Sequence, residues 1–345
     1  MNKKIRVLIV DDSKYMRFIL KKIISESADL EVVGEARDGV DALLQIPELG
    51  PDVVTLDMEM PRMDGMKVLA RIKQKYNLPV VILSRYTDHD GTLAVKALEA
   101  GAVDVIQNPE GRASLTFDSI REEIVKKIKQ ASQSAPQTDP LPAAEPAPVP
   151  AAAPSPPPQE MKKVLFIGSS MGGPRVLTEI FKRITSDLPL GVIAVQHIPE
   201  GFSALLANRL NSLSTLEVRE AHRGDVVRPG AAFLAPGGFH LRVRDGGRLY
   251  LDKTPPLHKV RPAVDVALKD AARVFGDKLV FMILTGMGCD GADGARAVKE
   301  HGGAVLVQDI ETCIVHGMPS SVIDTGCADK VAPVDALLEE IFSYL

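Results

Sequence analysis

Val164-Leu-Phe-Ile-Gly-Ser-Ser-Met-Gly-Gly-Pro174 passes from an apolar run of strand length, through small residues, into a helix-like segment at 175–184. Strand, tight turn and helix in that order build an α/β sheet, and glycine admits the close backbone approach of such a turn. The turn lifts one hydroxyl above the sheet edge, near the first amide donors of the helix. Gly168-Ser169-Ser170-Met171-Gly172 fits the G-x-S-x-G spacing, with Ser170 at its centre as a nucleophile. Two other readings stay open for this stretch alone. It also suits a phosphate or dinucleotide cradle, or a Ser170 that only caps the helix.

Working outward, the alternation of strand and helix continues to the C-terminus. Gly191-Val-Ile-Ala-Val-Gln-His197 is a second apolar run with a histidine just past its end. A helix near 203–211 follows, and 241–251 alternates around glycines as a β-hairpin. A helix at 264–275 leads to the run 279–284, which empties into Thr285-Gly-Met-Gly-Cys-Asp290-Gly-Ala-Asp-Gly294. The strand 304–308 and a final helix at 334–344 close the chain. Ser170, His197 and Asp290 thus each follow a strand. If those strands are neighbours in a parallel sheet, the three side chains converge at one edge. A serine hydroxyl needs a base, and the base needs a carboxylate to fix its tautomer and stabilise its charged form.

Each member has a plainer reading. His197 suits a satisfied histidine at a strand end; Asp290 competes with Asp293 for the carboxylate role, and either suits a cap of the helix starting near Gly291. Asp290, nearer the strand, is preferred. The order Ser…His…Asp differs from the Ser…Asp…His order of α/β-hydrolases, so that fold is not imported. The dinucleotide reading is discounted: serine replaces the second glycine of G-x-G-x-x-G, and the next strand ends in Gln196-His197 without an acid.

Ahead of this region, runs at 5–10, 31–33, 53–56, 80–83 and 103–106 alternate with helix-length segments. They read as a five-stranded, doubly wound parallel sheet whose ligands sit beyond the strand C-termini. Asp11, Asp12 and Asp57 fall there, with Ser84 and Asn108 after the fourth and fifth runs. Three carboxylates at one edge repel one another unless a cation is present, and Mg²⁺ suits an all-oxygen set. Asp57 is then a nucleophile for phosphoryl transfer, with Ser84 placed to hydrogen-bond the product. The plainer alternative for Asp12 is a helix cap; it leaves Asp57 unexplained.

Val-Leu-Ile-Val-Asp11-Asp12-Ser, with Asp57-Met-Glu-Met-Pro61-Arg-Met-Asp64-Gly65, resembles the receiver domain of two-component response regulators. The resemblance implies Asp57 as phosphoacceptor and Asp11, Asp12 and Asp57 as the Mg²⁺ site. It also implies a cis bond before Pro109. Where the family carries a lysine that contacts the phosphoryl group, this chain has Asn108, and Val105 stands where an aromatic is usual. Asparagine donates a hydrogen bond without charge, and Arg85 is the nearest substitute cation in sequence.

Gly168-Ser-Ser170-Met-Gly-Gly-Pro, Gln196-His197-Ile-Pro-Glu-Gly-Phe, Ala235-Pro-Gly-Gly-Phe-His240-Leu, Leu284-Thr-Gly-Met-Gly-Cys-Asp290-Gly-Ala and Val315-His-Gly-Met-Pro319 are similar, in order and spacing, to the protein-glutamate methylesterase domain of bacterial chemotaxis. That resemblance implies Ser170 as nucleophile, His197 as base, Asp290 as its orienter, and backbone amides of Met171 and Met287 as oxyanion donors. It implies hydrolysis of glutamate γ-methyl esters on chemoreceptors, related deamidation of glutamines, and no cofactor for that chemistry. It also implies a partner histidine kinase as phosphodonor and an unphosphorylated receiver that covers the Ser170 cleft. Met171 stands where the family usually has threonine. With Asn108, it keeps open a second reading, a docking regulator with a vestigial enzyme.

The expected domains are a receiver at 1–128, a linker at 129–160 and a catalytic domain at 161–345. The linker holds ten of the chain's 25 prolines, with Leu141 and Val149 as its only bulky apolar residues. Such a segment cannot bury enough surface to repay its ordering. A net charge of −4 gives no reason to expect nucleic acid, and no run reaches the ~20 apolar residues of a membrane-inserted span. Cys289, Cys313 and Cys327 make no disulfide framework, and Cys313-x-x-His316 lacks paired zinc-ligand spacing. With no signal-peptide core at the N-terminus, the expected compartment is the cytoplasm.

Overall fold

Val7, Leu8, Ile9 and Val10 have no exposed surface. A strand buried on both faces lies between helices, which is why it reads as an unbroken apolar run. Residues 3–84, 88–107, 117–134 and 160–345 are described by the computed structural model. The chain divides into two compact units, Met1–Pro142 and Ala143–Leu345.

The first unit alternates β1 (Ile5–Val10), α1 (Lys14–Ser25), β2 (Leu30–Ala36), α2 (Gly39–Leu49) and β3 (Val53–Asp57). It continues through α3 (Gly65–Lys75), β4 (Val80–Ser84), α4 (Asp88–Glu99), β5 (Asp104–Gln107) and α5 (Phe117–Ala131). The sheet is parallel, in the order β2-β1-β3-β4-β5. The chain leaves β1 toward β2 and returns on β1's other side as β3, so a crevice opens beyond the ends of β1 and β3. Asp11 and Asp12 follow β1, and Asp57 closes β3. Ser13, not Asp12, caps α1: its side chain accepts the Met16 amide at 3.3 Å. The run read at 31–33 extends to the seven-residue β2, and α5 runs on to Ala131, beyond 128. Asn108, Pro109, Arg85 and the stretch 135–159 lie outside the described residues.

The second unit runs β6 (Lys163–Ser169), α6 (Gly173–Arg183), β7 (Leu190–Gln196), α7 (Phe202–Leu213), β8 (Glu217–Glu220) and β9 (Ala231–Leu234). The hairpin β10 (His240–Arg244) and β11 (Arg248–Asp252) follows, then α8 (Val264–Phe275), β12 (Leu279–Ile283) and α9 (Ala292–Glu300). β13 (Ala304–Gln308), α10 (Gly317–Asp324), β14 (Lys330–Ala332) and α11 (Val334–Ser343) complete it. Seven strands form a parallel sheet ordered β14-β13-β12-β6-β7-β9-β8, and β10 pairs β11 antiparallel. Phe166 and Phe281 meet edge-on at 6.0 Å within the core. β6 is therefore central, with β12 on one side and β7 on the other. Its C-terminal end is a topological switch point, where side chains from three neighbouring strands meet.

Candidate active site

β6 ends in Ser169, paired in register with Gln196 at the end of β7. The next residues, Ser170 and His197, therefore leave adjacent strands side by side, and the His197 amide donates to Ser169 O at 3.0 Å. Gln196 clamps the turn, its amide nitrogen donating to Ser170 O at 2.7 Å and His197 O at 2.9 Å. Its oxygen accepts the Ser169 hydroxyl at 2.7 Å. Ser169, fully buried and spent on that bond, is no rival nucleophile; Ser170 is half-buried. Gly173 has no room for a side chain, since a Cβ there would stand 2.1 Å from Gln196 Oε1. Gly172 turns the chain at φ 77°, in the region open to glycine.

β12 delivers the third side. The Ser170 amide donates to Thr285 O at 3.0 Å, and a Cβ on Gly286 would stand 2.8 Å from Ser170 Cβ. The buried Thr285 hydroxyl lies 3.0 Å from Met171 O and 3.1 Å from Val315 O, while Gln308 Oε1 accepts the Thr285 amide. The loop after β12 is thus tied to the serine turn and to the segment before α10. Among the described residues, neither the Met171 nor the Met287 backbone amide has an acceptor. Met171 follows Ser170 in the turn, and Met287 follows Gly286, where an added Cβ would touch Ser170 Cβ, so both amides are candidates for an oxyanion.

Asp290 ends this loop, 1% exposed, with Oδ2 2.7 Å from His197 Nε2. Its carboxylate also accepts the amides of Val264 at 2.7 Å and Asp265 at 2.8 Å. Asp290 therefore caps α8, not the helix that follows it; the N-cap residue of α9 is Gly291, which has no side chain to cap with. Asp265, on α8, returns the contact. Its Oδ1 accepts Gly291 N and Gly294 N at the start of α9, and its Oδ2 faces His258 Nε2 at 3.0 Å. Each aspartate satisfies orphan donors of the other's helix. Burial pushes Asp290 up, but the hydrogen bond and charge of His197, with the two amides, outweigh it and hold its carboxyl below the ordinary range. Asp265 goes the other way, raised by burial and then by the charge of Asp290. Asp265 was missed in the sequence, where nothing pairs it with a residue 25 positions on.

An ionised carboxylate only accepts, so Nε2 of His197 carries the hydrogen and Nδ1 holds the lone pair. The ring is turned relative to the serine-protease template, in which Nδ1 faces the aspartate. Among the described contacts no hydrogen bond joins Ser170 Oγ to His197; such bonds often tighten only with substrate.

In the first unit, Asp11, Asp12 and Asp57 bring carboxylate oxygens within 4.8 Å of one another. Asp11 is buried, its Oδ1 accepting Ser13 N at 2.8 Å, and Asp57 Oδ1 accepts Glu59 N at 3.2 Å. Three hard oxygen donors open toward solvent through Asp12 fit Mg²⁺. A Cβ on Gly65 would stand 2.7 Å from Asp57 O, so a glycine is required behind this carboxylate. Ser84 closes the neighbouring strand β4, 3% exposed. Asn108 lies outside the described residues. Cys313 and His316 form no metal cluster: Cys313 Sγ faces Asp309 O and His316 Nδ1 faces Ser320 Oγ.

Residues 165–341 match the family CheB methylesterase, and residues 7–117 match the response regulator receiver domain. A protein-glutamate methylesterase/protein-glutamine glutaminase of Pyrococcus abyssi is 42% identical over 342 residues, covering 98% of this chain and 93% of that one. Its counterpart from Thermotoga maritima is 42% identical over 351 residues, covering 99% and 98%. The crystal structure of the Thermotoga maritima CheB methylesterase catalytic domain superposes with a TM-score of 0.51 and 45% identity. It covers 53% of this chain and 98% of that one.

Proposed function

The chain belongs to the CheB methylesterase family, and on that premise we propose that it is a receiver-linked hydrolase of glutamate γ-methyl esters, with Ser170 as nucleophile. The observation that carries this reading is the 2.7 Å bond between His197 Nε2 and Asp290, beside a tight serine turn on the adjacent strand. With Nε2 held, Nδ1 takes the Ser170 proton as Oγ attacks the ester carbonyl. The tetrahedral oxygen then draws on the Met171 and Met287 amides. His197 returns the proton to the departing methanol, and water repeats the sequence in reverse to free the glutamate. A glutamine amide, losing ammonia, follows the same course. Asp290, kept ionised, stabilises the charged imidazole between the two transfers.

The substrates are side chains on chemoreceptors, and the receiver sets the rate. Asp57 accepts phosphate from a histidine kinase, and Asp11, Asp12 and Asp57 hold Mg²⁺, which supplies charge neutralisation for the phosphoryl group. Ser84, buried at the end of the adjoining strand, hydrogen-bonds the phosphate. Phosphorylation raises turnover only insofar as the phosphate favours the active arrangement over the inactive one. Methanol release from labelled receptor membranes, with and without a small phosphodonor, tests both halves. Ser170→Ala abolishes release, and Asp57→Asn abolishes the stimulation. Release by Ser170→Ala at the wild-type rate would sink the assignment.

A further inference from the structure

Beside the Ser170 site, the same unit holds a second nucleophile, base and carboxylate in series. Cys289 is exposed and unpaired, with Sγ 3.7 Å from His258 Nδ1. His258 Nε2 lies 3.0 Å from Oδ2 of the buried Asp265. All three line a cavity of about 320 Å³, with Asp293, Arg296 and Ser321 on its walls. The ester chemistry uses neither this thiol nor this cavity.

The bonding order fixes the ring. With Asp265 ionised, its carboxylate offers only acceptors, so Nε2 carries the hydrogen and Nδ1 presents its lone pair to the thiol. Asp265 cannot swing away, because its other oxygen accepts Gly291 N and Gly294 N at 3.0 and 2.7 Å. A nucleophile within reach of a base that a third group orients is the general signature of an activated nucleophile. The remaining cysteines lack it. Burial, with the charge of Asp309, pushes the Cys313 thiol up to about 12, and the half-buried Cys327 has Sγ 3.9 Å from Thr325 O.

We propose that Cys289 is a thiol modification site that reacts with hydroperoxides, with His258 as its base and Asp265 as the residue that positions His258, and that its oxidation stops the esterase. The thiol proton passes to His258 Nδ1 and the sulfur attacks one peroxide oxygen. The S–O bond forms as the O–O bond breaks. The departing oxygen takes the proton back from His258 and leaves as water or alcohol. Sulfur loses two electrons, the peroxide gains them, and the product is a sulfenic acid. Cys289 stands in the loop between Met287, with its unspent amide, and Asp290. Through His258 and Asp265 it is also linked to the carboxylate that holds His197. A new oxygen on Sγ therefore loads the loop from which the ester site takes two of its groups.

The test treats the full chain with hydrogen peroxide and dimedone, and follows each cysteine peptide by mass spectrometry. Wild type, His258→Asn and Cys289→Ala are compared. Asparagine tolerates the left-handed backbone at residue 258, φ 54°, and methanol release before oxidation checks that each variant is folded. Cys289 is expected to be trapped at least tenfold faster in the wild type than in His258→Asn, and faster than Cys313 or Cys327. Wild-type turnover should fall in step with the trapped fraction, while Cys289→Ala keeps its turnover. Equal trapping in wild type and His258→Asn overturns the activated thiol. Full trapping with turnover intact, or equal loss in Cys289→Ala, overturns the link to the esterase. The trapping rate is read by mass, so it stands or falls independently of the methylesterase reading.

Discussion

Asp290 serves three donors with two oxygens: His197 Nε2 and Val264 N on Oδ2, Asp265 N on Oδ1. Ser170→Ala removes the nucleophile alone and is expected to lower methanol release by roughly 10⁴-fold or more, with the fold intact by circular dichroism. Asp290→Asn leaves an acceptor for one helix amide but frees the His197 tautomer, at a cost of roughly 10²–10⁴ in turnover. The same carboxylate sets a pH dependence. Against its burial, its pKa is held below the ordinary carboxylate value by His197 and the two helix amides, so the folded state binds protons less readily than the unfolded chain. Its contribution to stability is then complete above about pH 4 and is lost as pH falls through the lowered pKa. Asp265, raised, has the opposite sign: it disfavours the fold increasingly as pH climbs from 3.8 through its raised pKa. Calorimetry of wild type and Asp290→Asn between about pH 5 and pH 2 checks the first sign; the variant should lose less stability across that range. Parallel losses would assign the acid sensitivity elsewhere. Ser170 and His197 were legible because each directly follows an apolar strand, and Asp290 because it ends the short loop after a third. Asp265 was not, because its partners are set by how α8 and α9 meet.

At the scale of elements, legibility followed burial together with length: β9 is buried along all four residues and is still too short to stand out. β6 and β12 are covered on both faces and read as unbroken apolar runs. β8, Glu217-Val-Arg-Glu220, edges the sheet with one buried residue in four, and β14 has three residues, so neither stood out. The serine turn was legible as a motif, but its clamp was not: nothing in the sequence shows that Gln196 bonds Ser169, Ser170 and His197. Gly173 shows what the clamp demands. In Gly173→Ala the new methyl group would meet Gln196 Oε1 and Ser169 Cβ, at 2.1 and 2.8 Å. Either Gln196 swings out, breaking its bonds to Ser169, Ser170 and His197, or α6 shifts away from β6. Overpacking of this kind costs typically about 1–3 kcal/mol, and here the strain falls on the backbone that aims Ser170. Turnover is therefore expected to fall by more than tenfold, with a lower denaturant midpoint. A variant with unchanged turnover and midpoint would show that the clamp is dispensable.

For the whole molecule, the two acidic and nucleophilic sites lie in different units, and each unit has its own sheet. Every residue assigned to ester hydrolysis falls between Ser170 and Asp290, inside the seven-stranded sheet and its loops. The core of that unit runs from Val164 and Phe166 through Ile193, Phe233 and Leu268 to Phe281 and Val305, all without exposed surface. A polypeptide of 161–345 thus carries this core and every group proposed to react. It is expected to fold cooperatively and to release methanol from methylated receptors without Mg²⁺ or phosphodonor. The full chain should respond to phosphodonor and Mg²⁺ through Asp57, and Asp11→Asn or Asp12→Asn should blunt that response while leaving the basal rate unchanged. Asn108, neutral where the resemblance implies a lysine, should keep the stimulation modest. A charge-assisted hydrogen bond is roughly twice as strong as a neutral one, and a difference of ~1–2 kcal/mol shifts an equilibrium by about tenfold. Asn108→Lys should therefore enlarge the ratio of stimulated to basal turnover, with the basal rate unchanged. Measuring that ratio in both proteins decides the point: strong stimulation of the unsubstituted chain, equal to that of Asn108→Lys, would mean another group supplies the charge.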